Sequence, residues 1–246
     1  MISTSYPNGK LAIVIIWIYN TFSTTLNKCR LFSCDFLQRG GLLLREETIC
    51  GLVLAAGLSR RMGEFKPLLP FRGKTLIENT IDSILSSGAH QVVVVTGHRA
   101  EELEPVLQKR YGNRVILVRN ADFASTDMLH SIRIGCRAMP QCGAFFLLPG
   151  DMPVVEEQTF RRILSQRDGN LNVIFPTLDG YRKHPPLVDS RLIPEILSFS
   201  GDGGLRQFWK EQESIIRTIS VDDAGVWVDL DTREDYHKCK EKYEKN

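Results

Sequence analysis

A segment rich in small and basic residues follows a short apolar run near residue 50. It reads LAAGLSRRMGEFK and spans residues 54–66. Small side chains let the backbone approach a ligand closely, and Gly57 and Gly63 permit turns that a Cβ atom would block. The N–H groups of such a loop can hold phosphate oxygens, while Arg61 and Lys66 add positive charge. The segment therefore indicates a site for a phosphorylated ligand, with a solvated basic turn as the alternative for either cation alone.

A single carboxylate follows a second apolar run. The run AFFLL at 144–148 leads into Gly150-Asp151-Met152-Pro153. At the carboxyl end of a strand and beside a phosphate-binding loop, Asp151 is placed to hold Mg²⁺, which takes one or two carboxylates plus substrate phosphates. The alternative is that Asp151 caps the following helix. The local sequence leaves both open.

Two further carboxylates precede the last helical segment. Asp229 and Asp231 alternate with Leu230, so an extended chain points both to the same side. Either one could complete a metal site with the carboxylate of the previous motif. The alternative is that Asp231 or Thr232 caps the terminal helix, with Asp235 near its first turn.

Two loops in the second half could contact a second ligand. Residues 181–186 read YRKHPP, and this basic, aromatic and rigid loop suits an anionic planar ligand. Residues 200–206 read SGDGGLR, a glycine-rich turn that opens a helix whose N-terminus can bind an anion. Ordinary exposed turns are the alternative for both.

Short apolar runs alternate with amphipathic ones from Ile49 onward. This alternation predicts βαβ crossovers in a single three-layer, Rossmann-like α/β domain with a mainly parallel sheet. Ligands of such sheets lie at the carboxyl ends of the strands, where the motifs above fall. The predicted strands are Cys50–Ala56, Gln91–Thr96, Val115–Arg119, Ala144–Leu148, Leu171–Pro176, Pro185–Val188, Ile215–Val221 and Val226–Asp229. The predicted helices are Leu76–Ser87, Glu101–Tyr111, Ser131–Met139, Glu156–Gln166, Arg191–Ser198, Leu205–Glu211 and Arg233–Lys245.

Residues 1–48 lie outside this pattern. The apolar run Leu11–Tyr19 is nine residues long, whereas a membrane-spanning helix needs roughly 20. No small-x-small cleavage site follows it. We expect an N-terminal extension that is poorly ordered or a start codon assigned too early, with an added β-rich or membrane-touching segment as the third possibility. The domain itself is expected over residues 49–246.

The composition excludes several classes of protein. The chain has 246 residues, of which 43% are apolar and 24% charged, so disorder, collagen and a polytopic membrane protein are excluded. A net charge of +2 is too small to suggest a nucleic-acid partner. The six cysteines form no CxxC pair, and we expect reduced thiols in a cytoplasmic protein.

These motifs, in this order, resemble the nucleotidyltransferases that load a nucleotide onto molybdopterin cofactors. The spacing Arg61-Met62-Gly63-x-x-Lys66 is that of the family, and the similarity runs from about Ile49 to the C-terminus. It also includes VTGH at 95–98, GDMP at 150–153, His184-Pro185, the loop at 201–206 and DLDT at 229–232. Leu54-Ala55-Ala56-Gly57 resembles the cytidylyl branch, since the guanylyl branch has Leu-Ala-Gly-Gly. The chain departs from the family at Lys183, where glycine is frequent, and at Arg233, where proline is frequent.

The resemblance implies a fold like that of nucleotide-diphospho-sugar transferases and a transfer of CMP from CTP to the phosphate of molybdopterin. It implies Mg²⁺ as cofactor and catalytic roles for Arg61, Lys66 and Asp151. The remaining implied contacts are with nucleotide (Leu54, Ala55, Ala56, Gly57, Arg61, Lys66, Gly97, Gly150), with metal (Asp151, Asp231, Asp229) and with the acceptor (His184, Pro185, Asp202, Arg206). Expected partners are CTP, molybdopterin or molybdenum cofactor, and a molybdenum hydroxylase or its accessory protein, without nucleic acid or membrane. The alternatives are transfer to a sugar or polyol phosphate, and a catalytically silent module that delivers the cofactor.

Overall fold

The computed structural model describes residues 47–59 and 61–244. The expectations for the N-terminal extension therefore fall almost wholly outside the described residues. Within those ranges, no helix is both long and apolar enough to cross a membrane.

The described strands build one large sheet around a central pair. β1 (Ile49–Ala55) lies between β4 (Gln91–Thr96) and β6 (Ala144–Pro149), parallel to both. The other strands of this sheet are β5 (Val115–Arg119), β7 (Val173–Leu178), β8 (Tyr181–Arg182), β9 (Leu187–Asp189) and β10 (Ile216–Ser220). The spatial order is β10-β7-β9-β6-β1-β4-β5, and β8 pairs with β7. Only β9 and β8 run antiparallel to their described neighbours, so the prediction of a mainly parallel sheet is confirmed.

Helices cover both faces of the sheet, which makes the three predicted layers. Successive side chains of β1 point to opposite faces of the sheet, so that Val53 packs into one apolar cluster and Leu52 into the other. The first cluster takes the buried faces of α1 (Leu76–Ser86), α2 (Ala100–Tyr111) and α4 (Glu157–Leu164). The second takes those of α3 (Met128–Arg137), α5 (Ile193–Ser198) and α6 (Gly204–Glu211).

A third apolar cluster ties the C-terminal helix to the segment after β1. β2 (Pro70–Phe71) and β3 (Lys74–Thr75) form a small antiparallel hairpin, and α7 (Arg233–Glu244) packs beside it. The Tyr236 hydroxyl donates a hydrogen bond to the Pro70 carbonyl at 2.6 Å. Met62, from the basic segment, is buried in the same cluster. The position of that segment therefore depends on the last helix of the chain.

The predicted strand at Val226–Asp229 is wrong. The structure has a 3-10 turn at Ala224–Trp227, which begins where the Asp223 carboxylate accepts a hydrogen bond from the Gly225 N–H. Apolar residues do alternate from Val226 to Leu230, but no described strand pairs with this segment, so the alternation does not mark a strand here.

Other predicted elements are present with shifted ends. Helix α3 begins at Met128, before the predicted Ser131, because Asp127 caps it by accepting a hydrogen bond from the His130 N–H. Strand β7 runs on past Pro176, the predicted last residue. Proline is tolerated there because it contributes its carbonyl, which accepts a hydrogen bond from the Lys183 N–H.

Candidate functional site

A cavity of about 340 Å³ opens at the carboxyl ends of β1 and β6. Its lining brings together most of the predicted nucleotide-binding residues with two of the predicted metal ligands. The lining residues are Leu54, Ala55, Gly57, Leu58, Ser59, Arg61, Met62, Lys66, Pro67, Pro149, Gly150, Asp151 and Asp231. The segment 57–66 thus forms one wall, and the loop after β6 forms another.

Lys66 lies at the centre of the site's charges. It starts the 3-10 turn Lys66–Leu68 and its side chain is only 10% exposed. The ammonium contacts the Asp151 carboxylate and lies 3.8 Å from Asp231 Oδ1. A buried ammonium held by two carboxylates is fixed in position, so Lys66 can place a positive charge against a bound phosphate at little entropic cost.

Arg61 supplies a second, more exposed cation. Its guanidinium lies 2.6 Å from Asp231 Oδ2, with 69% of the side chain exposed. Asp231 is therefore ion-paired with a different cation through each of its two oxygens. The exposed fork remains accessible to an incoming anionic ligand, to which arginine can bind through two parallel hydrogen bonds.

Three carboxylates converge beside Lys66. One oxygen from each of Asp151, Asp229 and Asp231 lies within 4.8 Å of the others. Partial burial raises the pKa of Asp229, and the negative charges of Asp151 and Asp231 raise it further. Carboxylate oxygens are the ligands that Mg²⁺ and Mn²⁺ prefer. The donor set therefore fits a divalent cation, which would relieve the repulsion that raises this pKa.

Asp151 does not cap the following helix, α4. The N-terminus of α4 is served by Asp223, whose Oδ2 accepts hydrogen bonds from the Glu156 N–H at 2.9 Å and the Thr159 hydroxyl at 2.7 Å. Asp151 instead faces Lys66.

The terminal helix α7 is capped by Thr232. The Thr232 hydroxyl accepts a hydrogen bond from the Asp235 N–H at 3.2 Å, and the Asp235 carboxylate accepts one from the Thr232 N–H at 2.9 Å. This reciprocal pair is a capping box. Asp231 therefore does not cap the helix, and its carboxylate pairs with Arg61 and Lys66.

Two glycines allow close approach of backbone around the loop. A Cβ atom on Gly97 would lie 2.9 Å from both the Cβ and the carbonyl oxygen of Ala56. One on Gly150 would lie 3.2 Å from the Leu54 carbonyl, which accepts the Gly150 N–H at 2.9 Å. Gly97 and Ala56 are not among the cavity-lining residues. They pack behind the loop and set its position.

Only one of the two loop glycines needs its conformational freedom. Gly63 has φ +72°, which favours glycine. Gly57 has no positive φ, and nothing lies within 4 Å of an added Cβ atom. The expectation that a side chain would block the turn at Gly57 is therefore wrong. Its small size leaves the cavity open.

His184 and Pro185 do not line the cavity, but the Asp151 carboxylate acts electrostatically on His184. His184 Nδ1 lies 3.2 Å from the Leu147 carbonyl, and its bond to the buried Pro185 is cis. Burial lowers the pKa of His184, although the Leu147 carbonyl and the Asp151 carboxylate oppose that change. A neutral ring that donates through Nδ1 keeps Nε2 as an acceptor toward a ligand.

The other two predicted acceptor residues lie elsewhere. Asp202 and Arg206 are exposed at the start of α6 and do not line the cavity. The same loop approaches α3, since a Cβ atom on Gly204 would lie 2.9 Å from Asp127 Oδ2. Their contact with an acceptor stays a prediction.

Sequence patterns alone missed several residues beside the site. Ser59 and Pro149 line the cavity, and their neighbours in the motifs could have indicated them. Trp227 was overlooked because it was assigned to a strand. The available signal was a tryptophan two residues before a predicted metal ligand.

The chain has clear relatives among known proteins. A family profile described as MobA-like NTP transferase domain matches residues 51–215. The chain is 30% identical over 194 residues to molybdenum cofactor cytidylyltransferase of Escherichia coli K12, covering 78% of this chain and 95% of that protein. It is also 31% identical over 204 residues to nicotine blue oxidoreductase of Paenarthrobacter nicotinovorans, covering 77% and 95%.

Solved structures share the fold. A nucleotidyl transferase from Methanothermobacter has a TM-score of 0.69 and 28% identity, over 80% of this chain and 98% of that one. A manganese complex of Rv0371C from Mycobacterium tuberculosis has a TM-score of 0.62 and 25% identity, over 79% and 98%. Together with the family match and the charged cavity at the strand ends, these similarities show that the chain belongs to the MobA-like NTP transferase family of nucleotidyltransferases.

Proposed function

We propose that this protein transfers CMP from CTP to the phosphate of molybdopterin and releases pyrophosphate, with Mg²⁺ as cofactor. The observation that carries the proposal is the pairing of Lys66 with Asp151 and Asp231 at one cavity, with Asp229 beside those carboxylates, in a chain related over most of its length to a molybdenum cofactor cytidylyltransferase. In the proposed reaction a phosphate oxygen of molybdopterin bonds to the α-phosphorus of CTP, and the bond from that phosphorus to the β-phosphate oxygen breaks.

Charge placement is the main requirement of such a transfer. A phosphate monoester has a second pKa of about 6, so the attacking oxygen is already ionised near neutral pH. The difficulty is to bring two anions together, and catalysis is mainly positioning and electrostatic stabilisation. Lys66 is fixed at the cavity wall and Arg61 is accessible at its rim. We assign both to the triphosphate, and Leu54–Gly57 to the base and ribose.

The three carboxylates define where the reacting phosphates meet. Asp151, Asp229 and Asp231 would hold Mg²⁺, which would supply positive charge against the phosphates of the nucleotide. His184 lies near Asp151, on the segment assigned to the acceptor. Its Nε2 would accept a hydrogen bond from the acceptor, while the Nδ1 contact with Leu147 fixes the ring.

Nicotine blue oxidoreductase is as similar to this chain as the cytidylyltransferase is, so sequence similarity alone does not distinguish nucleotide transfer from oxidation and reduction. The choice of phosphoryl transfer rests on the site. Two cations and two carboxylates line the cavity, a third carboxylate lies beside these two, and residues with small side chains line one wall. That set suits a triphosphate and a divalent cation.

The remaining parts of the proposal concern context. We assign the transferase domain to residues 49–246, and place the protein in the cytoplasm, with a molybdenum hydroxylase or its accessory protein receiving the product. The buried, unpaired cysteines of the described region support a reducing compartment: Cys50, Cys136, Cys142 and Cys239.

A transfer assay tests this function. Purified protein is incubated with Mg²⁺, each nucleoside triphosphate in turn, and molybdopterin or molybdenum cofactor, and pyrophosphate release is measured. We expect release with CTP and acceptor together, loss of activity with EDTA, and a CMP adduct of molybdopterin by mass spectrometry. Parallel reactions contain a panel of sugar and polyol phosphates as acceptors.

The controls separate the alternatives. Turnover with a sugar or polyol phosphate and none with molybdopterin would replace the acceptor assignment. Tight binding of molybdopterin without pyrophosphate release from any triphosphate would favour a delivery module.

A further inference from the structure

Two aromatic side chains and a lysine form an exposed cluster that the described function does not use. Tyr181 is 65% exposed and Trp227 is 49% exposed, among the largest exposures of apolar side chains in the described region. Their rings meet edge to face, with centroids 6.0 Å apart at 80°. The Lys183 ammonium lies 3.0 Å from the centroid of the indole. We call these three residues the aromatic platform.

The aromatic platform adjoins the carboxylates through two separate chain segments. Lys183 immediately precedes His184, whose pKa is lowered by burial and raised in part by the negative charge of Asp151. Trp227 lies two residues before Asp229, whose carboxylate is within 4.8 Å of those of Asp151 and Asp231. Both segments thus lead from the aromatic platform to the position where the reacting phosphates meet.

The aromatic platform and the nucleotide cavity have no residue in common. The cavity is lined by residues of 54–67, 149–151 and Asp231. A nucleotide whose triphosphate lies against Lys66 occupies that cavity, so its base cannot also lie on Trp227 without leaving the loop 54–57. The aromatic platform is therefore available to the second substrate.

The composition of the aromatic platform specifies the kind of group that it binds. Exposed aromatic faces stack on planar heteroaromatic rings, and tryptophan offers the largest surface for this contact. Lys183 covers one face of the indole by a cation–π contact, and nearly half of the side chain stays exposed. The ammonium also provides a charge for an anionic substituent of the ligand.

We propose that Trp227, Tyr181 and Lys183 bind the planar heteroaromatic ring of the acceptor and thereby select a pterin over a sugar or polyol phosphate. This proposal rests on the proposed function, because it takes the acceptor to be a pterin phosphate. Trp227 stacks on the ring, Tyr181 meets the same ring with its edge because it is nearly perpendicular to the indole, and Lys183 attracts the anionic groups of the ligand. The acceptor phosphate then extends past His184 toward the three carboxylates.

The test compares Trp227→Ala, Trp227→Phe and Tyr181→Ala with the wild-type chain. Binding of pterin-6-carboxylate to the full chain is measured by calorimetry, and transfer of CMP to molybdopterin is measured at varied acceptor and varied CTP. We expect Trp227→Ala to raise the pterin Kd and the molybdopterin KM by at least about tenfold, the scale of one lost stacking contact. Trp227→Phe keeps a flat ring and should recover most of the loss. The KM for CTP should stay within about twofold, because no platform residue lines the cavity.

Leu171→Ala is the matched control. Leu171 is also an exposed large side chain, at 38%, but it precedes the start of β7 and so lies at the opposite edge of the sheet. It should leave every one of these constants unchanged.

The outcomes separate this proposal from the proposed function. If wild-type chain fails to bind pterin-6-carboxylate, or Trp227→Ala binds it equally well, the aromatic platform is not a pterin site. If pterin binds through Trp227 but molybdopterin accepts no CMP, the proposed function fails and the aromatic platform stands. An equal rise in the KM of CTP and of molybdopterin would indicate a structural role for Trp227 and overturn the proposal.

Discussion

Lys66 donates a hydrogen bond to Asp151 across 85 residues of sequence, and this contact joins the loops that follow the adjacent strands β1 and β6. The ion pair neutralises part of the acidic cluster before any ligand binds. A bound triphosphate competes with the carboxylates for the fixed positive charge of Lys66, so the carboxylates become more available to a cation. Binding of nucleotide and of metal should therefore favour each other.

Lys66→Ala should lower kcat/KM for CTP by at least about tenfold, which corresponds to roughly 1.4 kcal/mol of transition-state stabilisation. The variant removes a fixed positive charge from the triphosphate and leaves Asp151 without its partner. Steady-state pyrophosphate release measures the effect. Lys74→Ala is the control, because Lys74 pairs with Asp82 at the surface and does not line the cavity. Equal effects of the two variants would contradict the assignment.

Asp151→Asn should also lose at least about tenfold in rate, and saturating Mg²⁺ should not restore the wild-type rate. The change removes one negative ligand while nearly keeping the shape. Titration of the rate with Mg²⁺ and then Mn²⁺ measures it, with Asp168→Asn, which removes a surface ion pair to Arg217, as the control. Near-normal turnover at saturating Mg²⁺ would leave the metal to Asp229 and Asp231.

CTP should be used well ahead of GTP, and Ala56→Gly should narrow the difference. The Ala56 methyl packs against Gly97 behind the loop, and its removal frees the backbone that lies along the base. Competition between equal concentrations of CTP and GTP, followed by product analysis, gives the ratio of kcat/KM values. Equal or greater use of GTP by the wild-type chain would overturn the cytidylyl assignment without affecting the fold.

Thr232→Ala and Asp231→Asn should separate stability from activity. Thr232 caps α7, and loss of such a cap typically costs about 1 kcal/mol of stability. Asp231 faces Arg61 and Lys66, so its variant should lose turnover while thermal unfolding stays close to that of the wild type. Thermal denaturation and the transfer assay are run on both. The reverse pattern would assign Asp231 to the cap.

A chain that starts at Glu47 should fold and keep most of its activity. Among the described residues, the core clusters begin at Ile49, and this start retains the Thr48 carbonyl, which accepts a hydrogen bond from the Gly143 N–H at 2.8 Å. Circular dichroism, thermal unfolding and turnover test it against the full chain. An insoluble or inactive product would show that residues 1–46 are required.

The parallel half of the sheet was accessible to sequence reasoning because its strands are buried on both sides. Runs such as QVVVVT at 91–96 are apolar throughout, and β4 occupies those residues. The strand predicted at Val226–Asp229 was wrong because three consecutive apolar residues at the end of a turn resemble a short strand. What decided the turn was the Asp223 carboxylate, which also serves the start of α4.

The sequence identified which residues could bind phosphate or metal, whereas the structure was needed to decide the role of each. Asp151 and Asp231 each had a capping alternative that the sequence could not decide. The structure decides both, because other residues, Asp223 and Thr232, occupy the caps. Trp227, in contrast, was not identified as a site residue from the sequence. It lies close to Lys183 and Tyr181 because of a turn that no local sequence pattern predicted.

The dependence of the site on its last segment has a consequence for synthesis on the ribosome. Lys66 and Asp151 emerge early and can pair, but Asp229 and Asp231 follow only shortly before α7, which packs against Met62. Domains generally fold as units during synthesis. The site therefore cannot be completed until the segment that carries Asp229, Asp231 and α7 has left the ribosome. Competence to bind CTP with its metal would then arise among the final events of the protein's production.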